Sequence, residues 1–179
     1  MRTLNTKEIS DCVYRLARKA GVTLTPACHA ALANAAAQET GAARFALETV
    51  LENERTAARE QMPVCQDTGM AVVLIELGQD VHLTGAPLKE AVDDGVRRAY
   101  ADGCFRKSIC DPLTRENTGD NTPAHLHLDM VAGETVRVTF LPKGFGSENM
   151  SRLVMLTPSQ GRKGIVDTIV ETVKIAGSR

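Results

Sequence analysis

The residues of this chain best suited to chemistry are Cys65, Gln66 and Asp67, which are consecutive in the sequence. They place a thiol, an amide and a carboxylate side by side, between a proline and a Thr-Gly turn. A thiolate can bind a metal or act as a nucleophile, and a carboxylate can exchange a proton with a substrate. On composition alone, an ordinary loop with a half-buried cysteine remains the simpler interpretation.

The loop is predicted to be anchored, because a strand follows it at once. Residues 71–77 are apolar and rich in β-branched side chains, which is typical of a buried strand. A loop that leads into a core strand can hold its side chains in defined positions. The segments 81–83, 125–130 and 136–140 complete a predicted mixed or antiparallel sheet, and helices 88–100 and 165–176 are predicted to pack on it.

Three helices are predicted before the loop, and they form an N-terminal layer over residues 1–60. Asn5 and Thr25 stand where helix N-caps are expected, and a third helix covers residues 42–60. Cys28 and His29 are adjacent on a helix, so their side chains diverge and do not suggest a metal site. The sequence therefore predicts an α+β protein, with residues 61–179 as one compact unit.

Two further segments carry residues that could bind ligands. Gly144 and Gly146 flank Phe145, and glycines at such spacing let backbone N–H groups converge on an anion. His125 and His127 share one face of a predicted strand, but two histidines without a third ligand are more often a solvated strand face. The polar loop 115–123 has no predicted element, which indicates function or disorder.

Composition excludes several classes of protein. The 179 residues are 43% hydrophobic, 24% charged and 3% aromatic, with a net charge of -1. Such a chain lacks the basic surface and the aromatic stacking platform of a nucleic-acid binder. Without a basic run it is also a poor candidate for binding anionic membranes. It has neither an apolar stretch long enough for a bilayer nor a secretory signal pattern. Five irregularly spaced cysteines indicate free thiols and a cytoplasmic location.

A set of motifs past residue 60 supports a more specific interpretation. The motifs are Pro63-Val64-Cys65-Gln66-Asp67-Thr68-Gly69-Met70, Arg106-Lys107-Ser108, Asn117-Thr118-Gly119-Asp120-Asn121-Thr122-Pro123-Ala124, Gly146-Ser147-Glu148-Asn149-Met150-Ser151 and Glu171-Thr172-Val173-Lys174. With them the chain resembles the alpha subunit or N-terminal region of class I fumarate hydratases, the iron–sulfur hydro-lyases related to L(+)-tartrate dehydratase.

The resemblance implies a 4Fe–4S cluster held by three cysteines, whose open fourth iron acts as a Lewis acid on the C2 hydroxyl and carboxylate of malate. Cys65 would be the first cluster ligand. Gln66 and Asp67 would contact the substrate, with Asp67 as a catalytic residue, and Arg106 would pair with a carboxylate. Backbone N–H groups of Gly144, Gly146 and Ser147 would bind the same dianion.

Two departures from the family pattern matter. Phe145 replaces the middle glycine of the family's Gly-Gly-Gly-Ser loop. The second cluster cysteine of the family lies in a Cys-Pro-Pro segment beyond the helix that stops at Gly177. We therefore expect a piece of the subunit that ends before that segment, completed by a C-terminal domain or a separate beta subunit in a homo- or hetero-oligomer. Cys104 and Cys110 are interpreted as core or loop thiols.

The function expected from this resemblance is reversible hydration of fumarate to L-malate, with the isolated chain inactive and without its cluster. An L(+)-tartrate dehydratase subunit is the nearest alternative, because Gln66, Asp67 and Arg106 do not rank the two substrates. A catalytically incomplete fragment that binds dicarboxylate or serves assembly is another. A cysteine-nucleophile enzyme using Cys65 is the third, although no histidine is predicted to face the loop.

Overall fold

The fold was analysed in a computed structural model that describes residues 1–146 and 150–177. The helices and strands of these residues are β1 (Arg2–Asn5), α1 (Thr6–Val22), α2 (Pro26–Gln38), α3 (Gly41–Glu60), β2 (Met70–Gly78), β3 (Val81–Thr84), α4 (Leu88–Asp102), β4 (His125–Val131), β5 (Val136–Lys143) and α5 (Gly161–Ala176). They form two compact units, Met1–Lys143 and Gly144–Arg179. Helices and sheets together confirm the predicted α+β class. The domain boundary predicted at residue 60 stays a prediction.

Local sequence signals define the helix ends. The side chain of Asn5 accepts a hydrogen bond from the Lys7 N–H, and Thr25 accepts one from the Cys28 N–H, so both are N-caps as predicted. Pro26 opens α2 at a position where its missing N–H costs nothing. Because the caps satisfy amide groups that have no partner inside the helix, they stabilise each start.

A three-stranded mixed sheet lies at the centre of the first unit. Strand β2 runs between β4, to which it is parallel, and β5, to which it is antiparallel. Alternate β2 residues, from Ala71 to Leu77, are buried, and the residues between them are half-buried. The strand therefore reads as a core strand with one fully covered face, as the apolar run predicted.

The predicted membership of residues 81–83 in this sheet is wrong. Strand β3 pairs in parallel with β1, a strand that the sequence analysis did not predict, in a separate two-stranded sheet. The Arg2 N–H also bonds to the Asp80 carbonyl at 2.9 Å, which holds the N-terminus beside the turn. With four residues and Leu4 as its only apolar side chain, β1 is too short to show a period of two.

Helices α1 and α4 pack against each other and share one hydrophobic core with the sheet. The helix α4, predicted over 88–100, contributes Val92, Val96, Ala99 and Tyr100. Each large aliphatic side chain buried in this way stabilises the fold by about 1.5–3 kcal/mol. The buried core members are Leu4, Ile9, Val13, Ala17, Val22, Ala71, Val73, Ile75, Leu77, Val92, Val96, Ala99, Tyr100, Phe105, Ala124 and Phe140.

The second unit contains helix α5, which confirms the helix predicted at its position. The Gly177 N–H bonds to the Val173 carbonyl, so the glycine ends the helix as expected. Side chains of the predicted apolar stripe, including Ile165, Ile169 and Val173, are exposed. The packing of this helix on the sheet stays a prediction. No helix in residues 1–146 and 150–177 is long and apolar enough to cross a membrane.

Candidate active site

The segment that carries Cys65 is tied to two helices. The Val64 N–H donates to the carbonyl of Gly21, at the end of α1, at 2.9 Å. The Val64 carbonyl accepts a hydrogen bond from the Asn53 side chain on α3 at 2.8 Å. Strand β2 follows five residues after Cys65. The segment is therefore held at Val64, directly before the thiol, and by β2 after it, which agrees with the anchored loop that the sequence predicted.

The Cys65 thiol is exposed at the surface of this segment. Its sulfur accepts a hydrogen bond from the Asp67 N–H at 3.4 Å and donates to the Gln66 amide oxygen at 3.7 Å. N–H groups directed at sulfur are contacts that tune metal-bound thiolates. Gln66 is also exposed, and Asp67 is half-buried. The three residues thus present their polar groups at one small region of the surface.

A pocket of about 240 Å³ opens beside Cys65 and Asp67. Most of its lining is apolar, contributed by the end of α1, by α4 and by β5. Asp67 is its only charged lining residue, so a dianionic ligand is not accommodated in the interior of this pocket. The lining residues are Ala17, Ala20, Gly21, Leu24, Val64, Cys65, Asp67, Thr68, Tyr100, Phe105, Phe140 and Pro142.

Tyr100 lies at the boundary between the pocket and the core. Burial raises the pKa of its hydroxyl well above the usual range, and the negative charge of Asp67 adds to the effect. The hydroxyl therefore stays protonated at physiological pH, and it donates to the Thr68 carbonyl at 2.8 Å. A buried tyrosine hydroxyl usually finds such a partner, because an unpaired one costs free energy.

Arg106 is brought to the Cys65 segment by a hydrogen bond to its backbone. The Thr68 hydroxyl donates to the Arg106 carbonyl at 2.7 Å. Thr68 follows Cys65 by three residues, so their Cα atoms are within about 11 Å of each other even in an extended chain. The Arg106 side chain is exposed. The structure thus joins the two segments that sequence analysis expected to share a site, by a bond from the Thr68 side chain to the Arg106 backbone.

Asn121 connects the same two segments through its side chain, which is fully buried. Its amide N–H₂ donates to the Gly69 carbonyl at 3.1 Å, and its amide oxygen accepts from the Ser108 and Ile109 N–H groups at 2.7 and 3.3 Å. Its backbone has a φ of 63°, a left-handed conformation that asparagine tolerates better than most residues.

The sequence analysis assigned no role to Thr68, Tyr100 or Asn121, although Thr68 and Asn121 lie in family motifs. One signal pointed to Tyr100, because a tyrosine on the apolar face of a helix needs a partner for its hydroxyl. Nothing local identified that partner, since Tyr100 and Thr68 are 32 positions apart in the chain.

Asp120 fastens the loop that carries Asn121 to α4. Its carboxylate accepts hydrogen bonds from Arg97 and from the Thr122 hydroxyl and N–H, at 2.9, 2.7 and 3.0 Å. Burial raises the pKa of Asp120, but these hydrogen bonds and the charge of Arg97 outweigh it and lower the pKa to about 2.

The lowered pKa of Asp120 predicts a defined pH dependence of stability. The ionised carboxylate contributes fully above the unfolded pKa, near 3.8, and its contribution is lost as the pH falls through about 2. Asp120→Asn is expected to lower the free energy of unfolding at pH 7 by about 1–2 kcal/mol. Urea unfolding at pH 7, 4 and 2.5 should show that the difference between wild type and variant shrinks only below pH 4. An unchanged difference at pH 2.5 would contradict this assignment.

The other cysteine and histidine side chains considered as metal ligands lie in different environments. Cys104 is exposed. Cys110 is half-buried, and its backbone pairs with that of Asn117 in an isolated antiparallel β-bridge. His127 lies on an exposed strand face at 3.4 Å from Asp129. Within residues 1–146 and 150–177, no three His, Cys, Asp or Glu side chains are grouped so that they could hold a metal. The role of Cys65 as a ligand of a 4Fe–4S cluster stays a prediction, with which its exposed free thiol is compatible.

The glycines predicted to bind the dianion belong to a different compact unit from Cys65. Gly144 and Gly146 belong to the second unit, whereas Cys65 and Arg106 belong to the first. Ser147 lies outside the described residues. The convergence of this loop with Cys65 and Arg106 consequently stays a prediction.

Comparison with known proteins identifies the family. A profile of the fumarate hydratase (Fumerase) family matches residues 10–179. A Methanocaldococcus jannaschii protein named "Putative L(+)-tartrate dehydratase subunit alpha" is 34% identical over 96% of this chain and 63% of its own length. The Escherichia coli class I anaerobic fumarate hydratase is 34% identical over 65% of this chain and 23% of its own. Fumarate hydratase 2 of Leishmania major is 34% identical over 75% of this chain and 24% of its own length.

These relatives are longer than the matched chain. It spans 63% of the Methanocaldococcus jannaschii protein and about a quarter of the two fumarate hydratases. The matched region includes both segments of the candidate site, because the family profile begins before Cys65 and continues past Asn121. The chain belongs to the fumarate hydratase (Fumerase) family.

Proposed function

We propose that this chain is part of a hydro-lyase that interconverts fumarate and L-malate with a 4Fe–4S cluster. The observation that carries the proposal is the hydrogen-bonded link between the Cys65–Thr68 segment and Arg106, in a chain of the fumarate hydratase family. The link supports one site with a thiol, an amide, a carboxylate and a guanidinium. That combination suits a substrate with two carboxylates and a hydroxyl next to a metal.

Each residue has a proposed role in binding or proton transfer. Arg106 pairs bidentately with one substrate carboxylate, which its planar guanidinium matches. The Gln66 amide hydrogen bonds to the substrate hydroxyl and carboxylate. Asp67 orients the C2 hydroxyl or exchanges a proton with it, as a catalytic residue. Backbone N–H groups of Gly144, Gly146 and Ser147 are proposed to bind the same dianion.

Cys65 is the proposed cluster ligand within the described residues. Its sulfur is exposed and already accepts the Asp67 N–H. When bound, the cluster supplies a Lewis acid for the C2 hydroxyl of malate. In dehydration the C2–O bond breaks and a proton leaves C3, so water and fumarate are the products. The remaining ligands and the base that removes the C3 proton are expected in other parts of the complete enzyme.

The complete enzyme is proposed to contain more polypeptide than this chain. The Methanocaldococcus jannaschii relative is named as an alpha subunit, which supports a separate beta subunit as partner. The class I fumarate hydratase of Escherichia coli is about four times longer than its match here, which supports a further domain instead. We propose a cytoplasmic oligomer, since free thiols suit a reducing compartment.

L(+)-tartrate dehydration is the second candidate reaction, because the relative with that name matches 96% of the chain. The test is to assay the anaerobically purified complete enzyme with fumarate, L-malate and L(+)-tartrate. We expect kcat/KM to be highest for fumarate or malate. A higher value for tartrate would assign the second candidate. No turnover of any of the three would contradict the proposed activity and favour a subunit for dicarboxylate binding or assembly.

Arg106→Lys is expected to raise the KM for malate about tenfold and to change kcat less. Lysine keeps the positive charge but loses the two-pronged geometry toward a carboxylate, a difference of about 1.4 kcal/mol for that factor. Steady-state kinetics of the complete enzyme measure both constants. Arg137→Lys is a matched control, because Arg137 lies on β5 and pairs with Glu76 at 3.2 Å. An unchanged KM in Arg106→Lys would make Arg106 a structural residue.

A further inference from the structure

Three buried polar side chains form hydrogen bonds to the segments that carry the proposed site. Thr68, Tyr100 and Asn121 are 7%, 1% and 0% exposed. Their hydrogen bonds run to backbone atoms of Thr68, Gly69, Arg106, Ser108 and Ile109. None of the three is assigned a part in substrate or cluster binding above. Because these hydrogen bonds end on backbone atoms that support the site, they can act on the reaction through the position of the backbone.

We propose that Thr68, Tyr100 and Asn121 are positioning residues that set the separation between the Cys65–Asp67 segment and Arg106. The inference rests on the proposed function, and it adds residues that act through the backbone of the reacting groups. A dicarboxylate held by Arg106 must place its hydroxyl within reach of Asp67. Displacing such groups by about 1 Å can lower kcat/KM about 100-fold, and a displaced Arg106 does so by weakening substrate binding.

Each of the three side chains acts on a different part of the site. The Thr68 hydroxyl holds the Arg106 carbonyl at 2.7 Å. The Tyr100 hydroxyl holds the Thr68 carbonyl, at the end of the Cys65 segment. Asn121 reaches both sides, because its amide donates to Gly69 and accepts from the N–H groups of Ser108 and Ile109. The bonds of Thr68 and Asn121 therefore connect the two segments directly, and the bond of Tyr100 anchors the first segment to α4.

Apolar side chains of similar size could fill the same space, but they would not fix the direction of the backbone. Hydrogen bonds are directional, and a buried one that loses a partner leaves a desolvated group behind. Asn121 also adopts a left-handed backbone conformation, with φ of 63°. Backbone conformations of this kind are often kept at functional sites, which supports positioning over simple filling.

The test compares three threonine variants in the complete enzyme. Thr68→Val removes the bond to Arg106 with little change of shape, and Thr68→Ser keeps the hydroxyl. Thr6→Val is the matched control, because the buried Thr6 hydroxyl also donates to backbone carbonyls, of Thr84 and Ala86 at 3.2 and 2.9 Å. Thr6 opens α1, about 22 Å from Gly21, which holds the Cys65 segment.

Thr68→Val is expected to raise the KM for fumarate about 10–100-fold, with iron content unchanged and kcat reduced less. Thr68→Ser should stay within about twofold of wild type, and Thr6→Val should keep wild-type KM. If Thr68→Val does not fold, Tyr100→Phe carries the test. It removes only the hydroxyl that holds Thr68, so a rise in KM is again expected.

Amide hydrogen exchange gives a readout that needs no activity. In Thr68→Val, peptides covering residues 64–69 and 105–109 should exchange faster together, while peptides of α1 and β2 do not change. In Thr6→Val, the faster peptides should be those of β1 and β3. A merely structural role of Thr68 would speed exchange throughout the first unit and leave KM unchanged.

The two readouts separate the inference from the proposed function. Active wild type combined with an unchanged KM and unchanged exchange in Thr68→Val would overturn the positioning role and leave the function intact. If wild type is inactive and Thr68→Val exchanges faster only in the two segments, the proposed function is overturned and the positioning role is kept. A rise in KM that occurred equally in Thr6→Val would also overturn the positioning role.

Discussion

Asp67→Asn is expected to lower kcat for fumarate hydration by about 10²–10⁴-fold in the complete enzyme, with iron content close to that of wild type. The range is what a positioned acid or base contributes to a rate. Asparagine keeps the size of the side chain and the backbone N–H that donates to Cys65 at 3.4 Å. It loses the ability to exchange a proton with the substrate hydroxyl. The sulfur environment should therefore persist while turnover fails.

A matched control for this variant is Asp129→Asn, which makes the same change on β4. Asp129 is opposite Glu76, six residues along β2 from Met70, or about 20 Å from the site segment. We expect wild-type kcat in the control. Iron analysis and visible absorption, measured beside kcat, decide the role of Asp67. If Asp67→Asn lost its iron as completely as Cys65→Ser, Asp67 would be a residue that supports the cluster.

The second large effect concerns the 179-residue chain by itself. Anaerobic reconstitution with iron and sulfide is expected to leave far fewer than about four irons bound after gel filtration, and no hydratase activity. A cubane with one open iron needs three thiolates. Cys65 is the only cysteine in a matching motif, and no group of three metal ligands occurs in residues 1–146 and 150–177. Each missing thiolate exposes an iron to water and oxidation.

The control for reconstitution is a double variant, Cys104→Ser with Cys110→Ser. Loss of both thiols should change nothing if they are loop residues, as their exposed and half-buried positions suggest. About four irons bound stably in the double variant would refute the ligand count. Stable binding only when both cysteines are present would instead assign a local site of Cys65, Cys104 and Cys110.

Much of the first unit was predictable because its signals are local. The N-caps at Asn5 and Thr25 and the apolar run before Gly78 depend on a few neighbouring residues. Strand β1 was missed, because four residues do not show a period of two and its partner β3 begins 76 positions after its last residue, at Val81. Pairing over such a distance is determined by the tertiary fold.

The site was predictable to a different extent. Cys65, Gln66, Asp67 and Arg106 were found by motif, and the structure brings their two segments together through Thr68. The supporting residues were missed, because the bond from Asn121 to Gly69 spans 52 positions and leaves no periodic pattern. Asparagine is also seldom buried, so the polar side chain of Asn121 suggests an exposed position in a loop. The roles of the four motif residues stay predictions.

The most direct test of the proposed iron-dependent hydratase is malate formation from fumarate by the anaerobically purified complete enzyme, with Cys65 intact or replaced in Cys65→Ser. Iron is measured on the same samples, and Cys12→Ser, on α1 outside the site, serves as the control. Wild type and the control are expected to hold iron and form malate, whereas Cys65→Ser loses both. A Cys65→Ser enzyme with wild-type iron content and wild-type malate formation would contradict the proposal.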